Sequence, residues 1–145
     1  MKQTFFALIT LIFLISFNVA AFELVELEDN NKYSFGVEYG QIFTIDYIAL
    51  YLGIAGGFRV NDKTYIRAIV GRTDARDELL LIGKPLYFVK NDIDYRVYGF
   101  GLVGNLGEDL SIGGGMGFER DWGYGEIAYT TDRYIIISSG LNIYF

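Results

Sequence analysis

Apolar and polar residues alternate along most of the chain, which is the pattern of β-strands with two different faces. The alternation is clearest at 33–40, 48–60 and 110–119, where large apolar residues occupy nearly every second position. The positions between them hold small, polar or charged residues. After residue 21, no segment is apolar over the roughly 20 positions that a membrane-spanning helix needs. The pattern therefore predicts an all-β protein.

Eight segments carry this alternation, and most have about the 9 to 11 residues with which a tilted strand crosses a bilayer. They are 31–42, 46–60, 64–73, 78–90, 95–104, 110–120, 122–130 and 133–145. Short turn-forming runs such as Asn61-Asp62-Lys63 and Thr131-Asp132 separate them. An even number of strands places both ends of the sheet on one side. We therefore expect an eight-stranded, antiparallel, up-and-down β-barrel with short loops over 31–145.

Two of these segments do not fit the alternation well. Gly83-Lys84-Pro85 lies inside the fourth segment, and because proline cannot donate to a strand ladder we expect a bulge or a register shift there. In the fifth segment, Tyr98, Phe100 and Leu102 are predicted to point outward, with the glycines between them pointing inward. Arg96 would then share the outer face.

The first 21 residues have the features of a cleaved signal peptide. Lys2 precedes an apolar run from Phe5 to Phe17, and small residues follow at Val19-Ala20-Ala21. We expect cleavage after Ala21. The alternative is a retained membrane helix, but the run is shorter than the roughly 20 residues that such a helix needs. The acidic segment 22–30 is interpreted as a periplasmic lead-in to the barrel.

Composition argues against several function classes. The chain contains neither His nor Cys, so we find no catalytic constellation, no metal site and no disulfide framework, and we expect neither an enzyme nor a cofactor. The formal net charge of −6 disfavours nucleic acid as a partner. Hydrophobic residues make up 52% of the chain, with 18 Gly and 12 Tyr, which is unusual for a soluble helical domain.

The last strand favours a membrane barrel over a soluble one. Its apolar positions continue from Ile135 to a terminal aromatic, Phe145. Together with the signal peptide and the lack of cysteine, this predicts a barrel in the outer membrane with both termini periplasmic and its apolar face toward lipid. In the alternative, a soluble periplasmic or secreted barrel, the apolar face lies inside.

These features resemble the small eight-stranded outer-membrane barrels of the OmpA and OmpX type. The resemblance is carried by Val19-Ala20-Ala21, the eight alternating strands, and Ile137, Leu141, Ile143 and Phe145 in the closing strand. In that family the last strand and its terminal aromatic are recognised by the barrel-assembly machinery. The resemblance therefore implies that these four residues serve assembly, and that the partners are periplasmic chaperones, that machinery, outer-membrane lipid and lipopolysaccharide. We expect a monomer.

If the polar face is inside, charged side chains meet in the lumen. The candidates are Glu38, Arg59, Arg67, Glu119 and Glu126. Because an isolated ion loses its hydration there, we expect Arg59 and Arg67 to pair with Glu119 and Glu126 and to close the lumen to solutes. The alternative is that these charges line a water path or a proton-handling site.

Several aromatic residues lie near segment ends, where amphipathic rings suit the boundary between water and lipid. They are Tyr47, Tyr87, Trp122, Tyr124 and Tyr129. Ordinary sheet packing is the alternative for each of them. Two functions remain open: a structural or interaction protein of the outer membrane, and a passive narrow pore or conduit for small apolar molecules. Arg72, Arg76 and Arg133 could additionally hold lipopolysaccharide phosphates.

Overall fold

The computed structural model describes residues 31–92, 94–107 and 109–145. The predicted signal peptide, 1–21, and the predicted lead-in, 22–30, lie outside the described residues. Within the described ranges, no helix is long and apolar enough to cross a membrane.

Eight strands form one closed antiparallel barrel, as the alternation predicts. The strands are β1 (Tyr33–Phe43), β2 (Ile48–Asn61), β3 (Thr64–Thr73), β4 (Arg76–Asn91), β5 (Arg96–Gly104), β6 (Ser111–Arg120), β7 (Gly123–Thr130) and β8 (Ile135–Tyr144). Each strand pairs with the next, and β8 pairs with β1. We call the end that holds Tyr33 and Tyr144 the terminal end, and the opposite end, with the turn from Phe43 to Ile48, the distal end.

Large apolar side chains cover the outer face of the barrel. On β1 and β2 the exposed residues alternate strictly with buried ones over Tyr33–Gly40 and Ile48–Ala55. The outer residues include Phe35, Val37, Leu50, Leu52, Ile54, Leu81, Ile112, Ile137, Leu141 and Ile143. Charged side chains such as those of Glu38 and Arg67 are instead fully buried inside the barrel. The outer face is therefore largely apolar, whereas the lumen holds both apolar and charged side chains.

The prediction for β5 is wrong. Tyr98, Phe100 and Leu102 are buried inside the barrel and not on its outer face. The reason is space, because β6 presents its inward glycines to β5: Tyr98 pairs with Gly117, and Phe100 pairs with Gly115. Rings on β5 fill the volume that these glycines leave empty.

The same relationship recurs around the lumen. Tyr51 pairs with Gly40, and Tyr124 pairs with Gly140. A Cβ atom added at Gly40 would lie 2.2 Å from the Tyr51 ring, and one added at Gly140 would lie 2.4 Å from the Tyr124 ring. Each ring therefore lies over a glycine of the neighbouring strand, and the rings fill the barrel interior.

The predicted bulge at Gly83-Lys84-Pro85 is also not where the ladder shifts. On both sides of this run, from Ile82–Gly104 to Phe88–Tyr98, β4 and β5 keep one register. The pairing is instead interrupted at Lys84 and Pro85, and the register shift lies between Phe88 and Lys90. Proline removes a donor without displacing the strand, so Lys84 keeps its inward direction.

Candidate functional site

Four charged side chains meet in the middle of the lumen. Glu38 on β1, Arg67 on β3, Lys84 on β4 and Glu126 on β7 are all buried. Arg67 and Lys84 are direct partners on adjacent strands, and the two glutamates reach them from other sides of the barrel. Two positive and two negative charges therefore share a site from which water is largely excluded.

Lys84 bridges the two glutamates. Its Nζ lies 2.8 Å from Oε1 and 3.0 Å from Oε2 of Glu38. It also donates to Oε2 of Glu126. Arg67 Nη1 donates to Oε1 of Glu126 over 2.5 Å. Each carboxylate has a cation within hydrogen-bond distance, and the attraction between them opposes the cost of removing four charges from water.

Tyrosine hydroxyls complete the coordination of the carboxylates. Tyr51 donates to Glu38 Oε1 over 2.5 Å, and Tyr124 donates to Glu38 Oε2 over 2.8 Å. Tyr98 donates to Glu126 Oε1 over 2.8 Å. The guanidinium carbon of Arg67 lies 4.0 Å from the centre of the Tyr124 ring. We call the four charged residues and these three tyrosines the lumen network; such connected networks fix one side-chain arrangement.

The structure brings together three of the five lumen charges named from the sequence, namely Glu38, Arg67 and Glu126. The expectation for Arg59 needs correction, since its Nη2 lies 3.1 Å from Oδ1 of Asp62 in the turn between β2 and β3. Glu119 is buried, but within the described residues neither of its carboxylate oxygens has a hydrogen-bond partner. Arg59 therefore belongs to the rim, and Glu119 stands apart from the lumen network.

Sequence reasoning missed Lys84 and did not place Tyr51, Tyr98 and Tyr124 as hydrogen-bond donors. Its spacing did indicate its direction. Lys84 shares one face of β4 with Leu80, Ile82, Leu86 and Phe88, all of which are buried in the lumen. Because the fourth segment is apolar on both faces, alternation alone does not reveal which face is inside.

The predicted boundary aromatics differ in their exposure. Tyr47, Tyr87 and Trp122 are exposed, and Trp122 lies in the turn between β6 and β7. Tyr129 is half-buried. Tyr124 is a correction, because it is buried in the lumen and bonded to Glu38. Tyr124 lies next to a turn, but its side chain points into the lumen, and that direction decides its environment.

The closing strand has the outward residues that the sequence indicates. Ile137, Leu141, Ile143 and Phe145 are all exposed. The backbone nitrogen of Phe145 donates to the oxygen of Tyr33 over 2.9 Å, and the oxygen of Phe145 accepts from the nitrogen of Tyr33 over 3.0 Å. The last residue thus extends the seam that closes the barrel.

The arginines near the distal rim differ in their surroundings. Arg76 donates to the backbone oxygens of Asn105 and Gly107 and so ties the loop between β5 and β6 to the start of β4. Arg72 and Arg133 are exposed. Among the described residues, no group of three or more carboxylates is placed to hold a metal ion.

Comparison with known proteins adds no relative to this description. No protein-family model matches the sequence, and a search of curated proteins finds no match either. The resemblance to the eight-stranded barrels named above therefore extends to the architecture alone.

Proposed function

We propose that the protein is an integral outer-membrane β-barrel with a lumen closed by side chains, acting as a structural or interaction component of that membrane. One observation carries the proposal: large apolar residues cover the outside, while five charged residues, the four of the lumen network and Glu119, are buried inside. A lipid environment stabilises this arrangement, whereas water would penalise the outer face.

The apolar outer face supports a membrane barrel over the soluble alternative. Monomeric soluble proteins rarely expose contiguous apolar patches larger than a few hundred Å². Here outward Val37, Ile54 and Val70 are neighbours across three strands, and all three are exposed. Apolar side chains continue around the barrel to Ile137 and Leu141 on β8. A surface of this kind needs either lipid or a large protein partner to cover it.

The packed interior supports a closed barrel over a pore. The lumen network joins β1, β3, β4 and β7 across the middle of the lumen. Rings such as those of Tyr98 and Phe100 occupy the space beside the inward glycines of β6. A solute could cross only if ion pairs with well-formed hydrogen bonds separated, which is costly away from water.

Fractionation and gel mobility test the membrane assignment. We expect the expressed full-length protein to stay in the outer-membrane fraction after an alkaline carbonate wash, and unboiled protein to migrate as a compact species in detergent. Release by carbonate without a heat-dependent change in mobility would contradict the proposal.

Planar-bilayer recordings test separately whether the lumen is closed. We expect no steady channels, and steady conductance would favour the narrow pore instead.

A further inference from the structure

The two halves of the lumen differ in chemistry. Within the described residues, buried polar atoms that lack a hydrogen-bond partner occur in the half nearest the terminal end, on Ser34, Glu119, Asn142 and Tyr144, and on Arg67 at the border of that half. The half nearest the distal end is filled by buried apolar residues, namely Ile42, Leu80, Ile82, Leu102 and Ile136. Because unpaired buried polar groups are costly, the terminal half is suited to polar contents and the distal half is not.

A cavity opens from the terminal half toward the terminal end. Its volume is about 150 Å³, and its lining includes Asp92, Asp94, Arg96, Glu119, Asp121 and Tyr144. We call it the terminal vestibule. The described lining holds four carboxylates and one guanidinium, so its formal charge is negative, which favours cations.

Glu119 distinguishes the terminal vestibule from a group of exposed carboxylates, because its side chain is buried. It is only 3% exposed, yet neither carboxylate oxygen has a hydrogen-bond partner among the described residues. Arg96 is the cross-strand partner of Glu119 on β5; its Nε donates to Asn91 Oδ1 over 3.1 Å, and its guanidinium carbon lies 5.4 Å from the Tyr144 ring centre. A buried carboxylate of this kind needs donors, and a cationic donor satisfies it best.

We propose that the terminal vestibule binds a small organic cation through a primary ammonium group, with Glu119 as the residue that holds the charge. An ammonium group has three donors and no acceptor, which suits a buried carboxylate whose oxygens accept no hydrogen bond from the described residues. The volume of about 150 Å³ lies below the roughly 300 to 1,000 Å³ of pockets for drug-sized ligands, so the ligand is small. A chelated metal ion is disfavoured, because no group of three described carboxylates is placed to hold one. This site is independent of whether the barrel lies in a membrane.

Titration of the full chain, refolded in a zwitterionic detergent, tests the proposal. The probe is propylammonium chloride, with sodium chloride as the ionic-strength control and tetrabutylammonium as the size control. We expect saturable binding of propylammonium alone. Glu119→Gln should weaken that binding at least about tenfold, since it replaces a charged acceptor by a neutral one. The matched variant Glu78→Gln, at an exposed carboxylate near the distal end, should bind as the wild type does.

A second measurement covers the case in which Glu119→Gln does not refold. In wild-type protein labelled with ¹³C at the glutamate carboxyl carbons, we expect the resonance of Glu119 to shift on propylammonium addition, saturating with the binding curve. The resonances of Glu38 and Glu126 should move less, because both are bonded within the lumen network. Absence of saturable binding, equal binding by Glu119→Gln, or a stationary Glu119 resonance would each overturn the proposal.

Discussion

Arg67 and Glu126 meet across the lumen, with Nη1 of the arginine 2.5 Å from Oε1 of the glutamate, although they lie on β3 and β7, which are not neighbours in the sheet. Both side chains are almost fully buried. A contact of this length between non-adjacent strands exists only when the barrel has closed. The ion pair therefore depends on closure of the barrel as well as on local packing.

Replacement of Glu126 should weaken the barrel strongly. Glu126→Gln removes the charge that both Arg67 and Lys84 contact, which leaves a buried positive charge without compensation. Breaking a buried pair by removing one partner typically costs about 3 to 5 kcal/mol. Urea unfolding followed by the fluorescence of Trp122, the single tryptophan, measures the free energy of unfolding. The matched change Glu78→Gln, at an exposed carboxylate, should cost less than about 0.5 kcal/mol. Equal effects of the two variants would show that the lumen network contributes nothing to stability.

Lys84 and Glu38 should be energetically coupled. Nζ of Lys84 lies 2.8 Å from Oε1 of Glu38, so Lys84→Met and Glu38→Gln each leave the other charge with one partner fewer. The double variant removes both charges together, and its cost should therefore fall short of the sum of the single costs by about 1 to 3 kcal/mol. A double-mutant cycle in urea unfolding measures this difference. Additive costs would mean that the contact carries no net interaction.

A methyl group added at Gly117 should disturb the lumen. Its Cβ would lie 2.3 Å from the Tyr98 ring, which cannot turn aside freely because its hydroxyl is bonded to Glu126. Overpacking of this kind costs about 1 to 3 kcal/mol. Gly56→Ala is the control, since a Cβ there meets no atom within 4 Å. We expect Gly56→Ala to leave the urea midpoint unchanged or to raise it slightly, and Gly117→Ala to lower it. The reverse order would contradict the ring-over-glycine packing described for the lumen.

Phe145 should matter more for assembly than for stability. Its backbone closes the ladder with Tyr33, but its ring is largely exposed. Phe145→Ala keeps the backbone bonds, so refolding in vitro and the urea midpoint should change little. In cells, the amount of barrel in the outer membrane should fall, which membrane fractionation and blotting measure. Ile45→Ala, at another exposed apolar residue, should leave that amount unchanged. A fall of the same size in both variants would speak against a terminal signal.

The fold could be predicted from the sequence where the two faces of a strand differ clearly. Strand β1 alternates large outward residues with small or charged inward ones, and the structure follows that alternation. Strand β5 shows the limit, because its large residues turn inward to fill the volume beside Gly115 and Gly117. Alternation gives the period of a strand but not the direction of its faces. That direction depends on the volume that neighbouring strands leave in the lumen.

The lumen network was predictable only in part for the same reason. Glu38 lies on a strand whose outer residues are large and apolar, and Glu126 is followed by outward Ile127 and Tyr129, so their inward direction was readable. Lys84 lies on a strand that is apolar on both faces and is followed by Pro85, which suggested a register shift. Partner choice was less predictable still. Arg59 contacts Asp62, three positions away in the turn between β2 and β3, and the alternation of the strands does not single out that partner.

The outer face offers the sharpest test of the environment in which the barrel works. Ile54 and Val60 both point outward from β2 and are similarly exposed, at 57% and 51%, but Ile54 lies in mid-strand and Val60 next to the turn. In lipid vesicles, Ile54→Arg should cost about 2 to 4 kcal/mol and Val60→Arg about 0 to 1 kcal/mol, because the cost of a charge falls from the bilayer midplane to its surface. Urea unfolding from vesicles measures both values. Equal, small costs at the two positions would indicate that water or a protein partner covers this face, since neither imposes a dependence on depth.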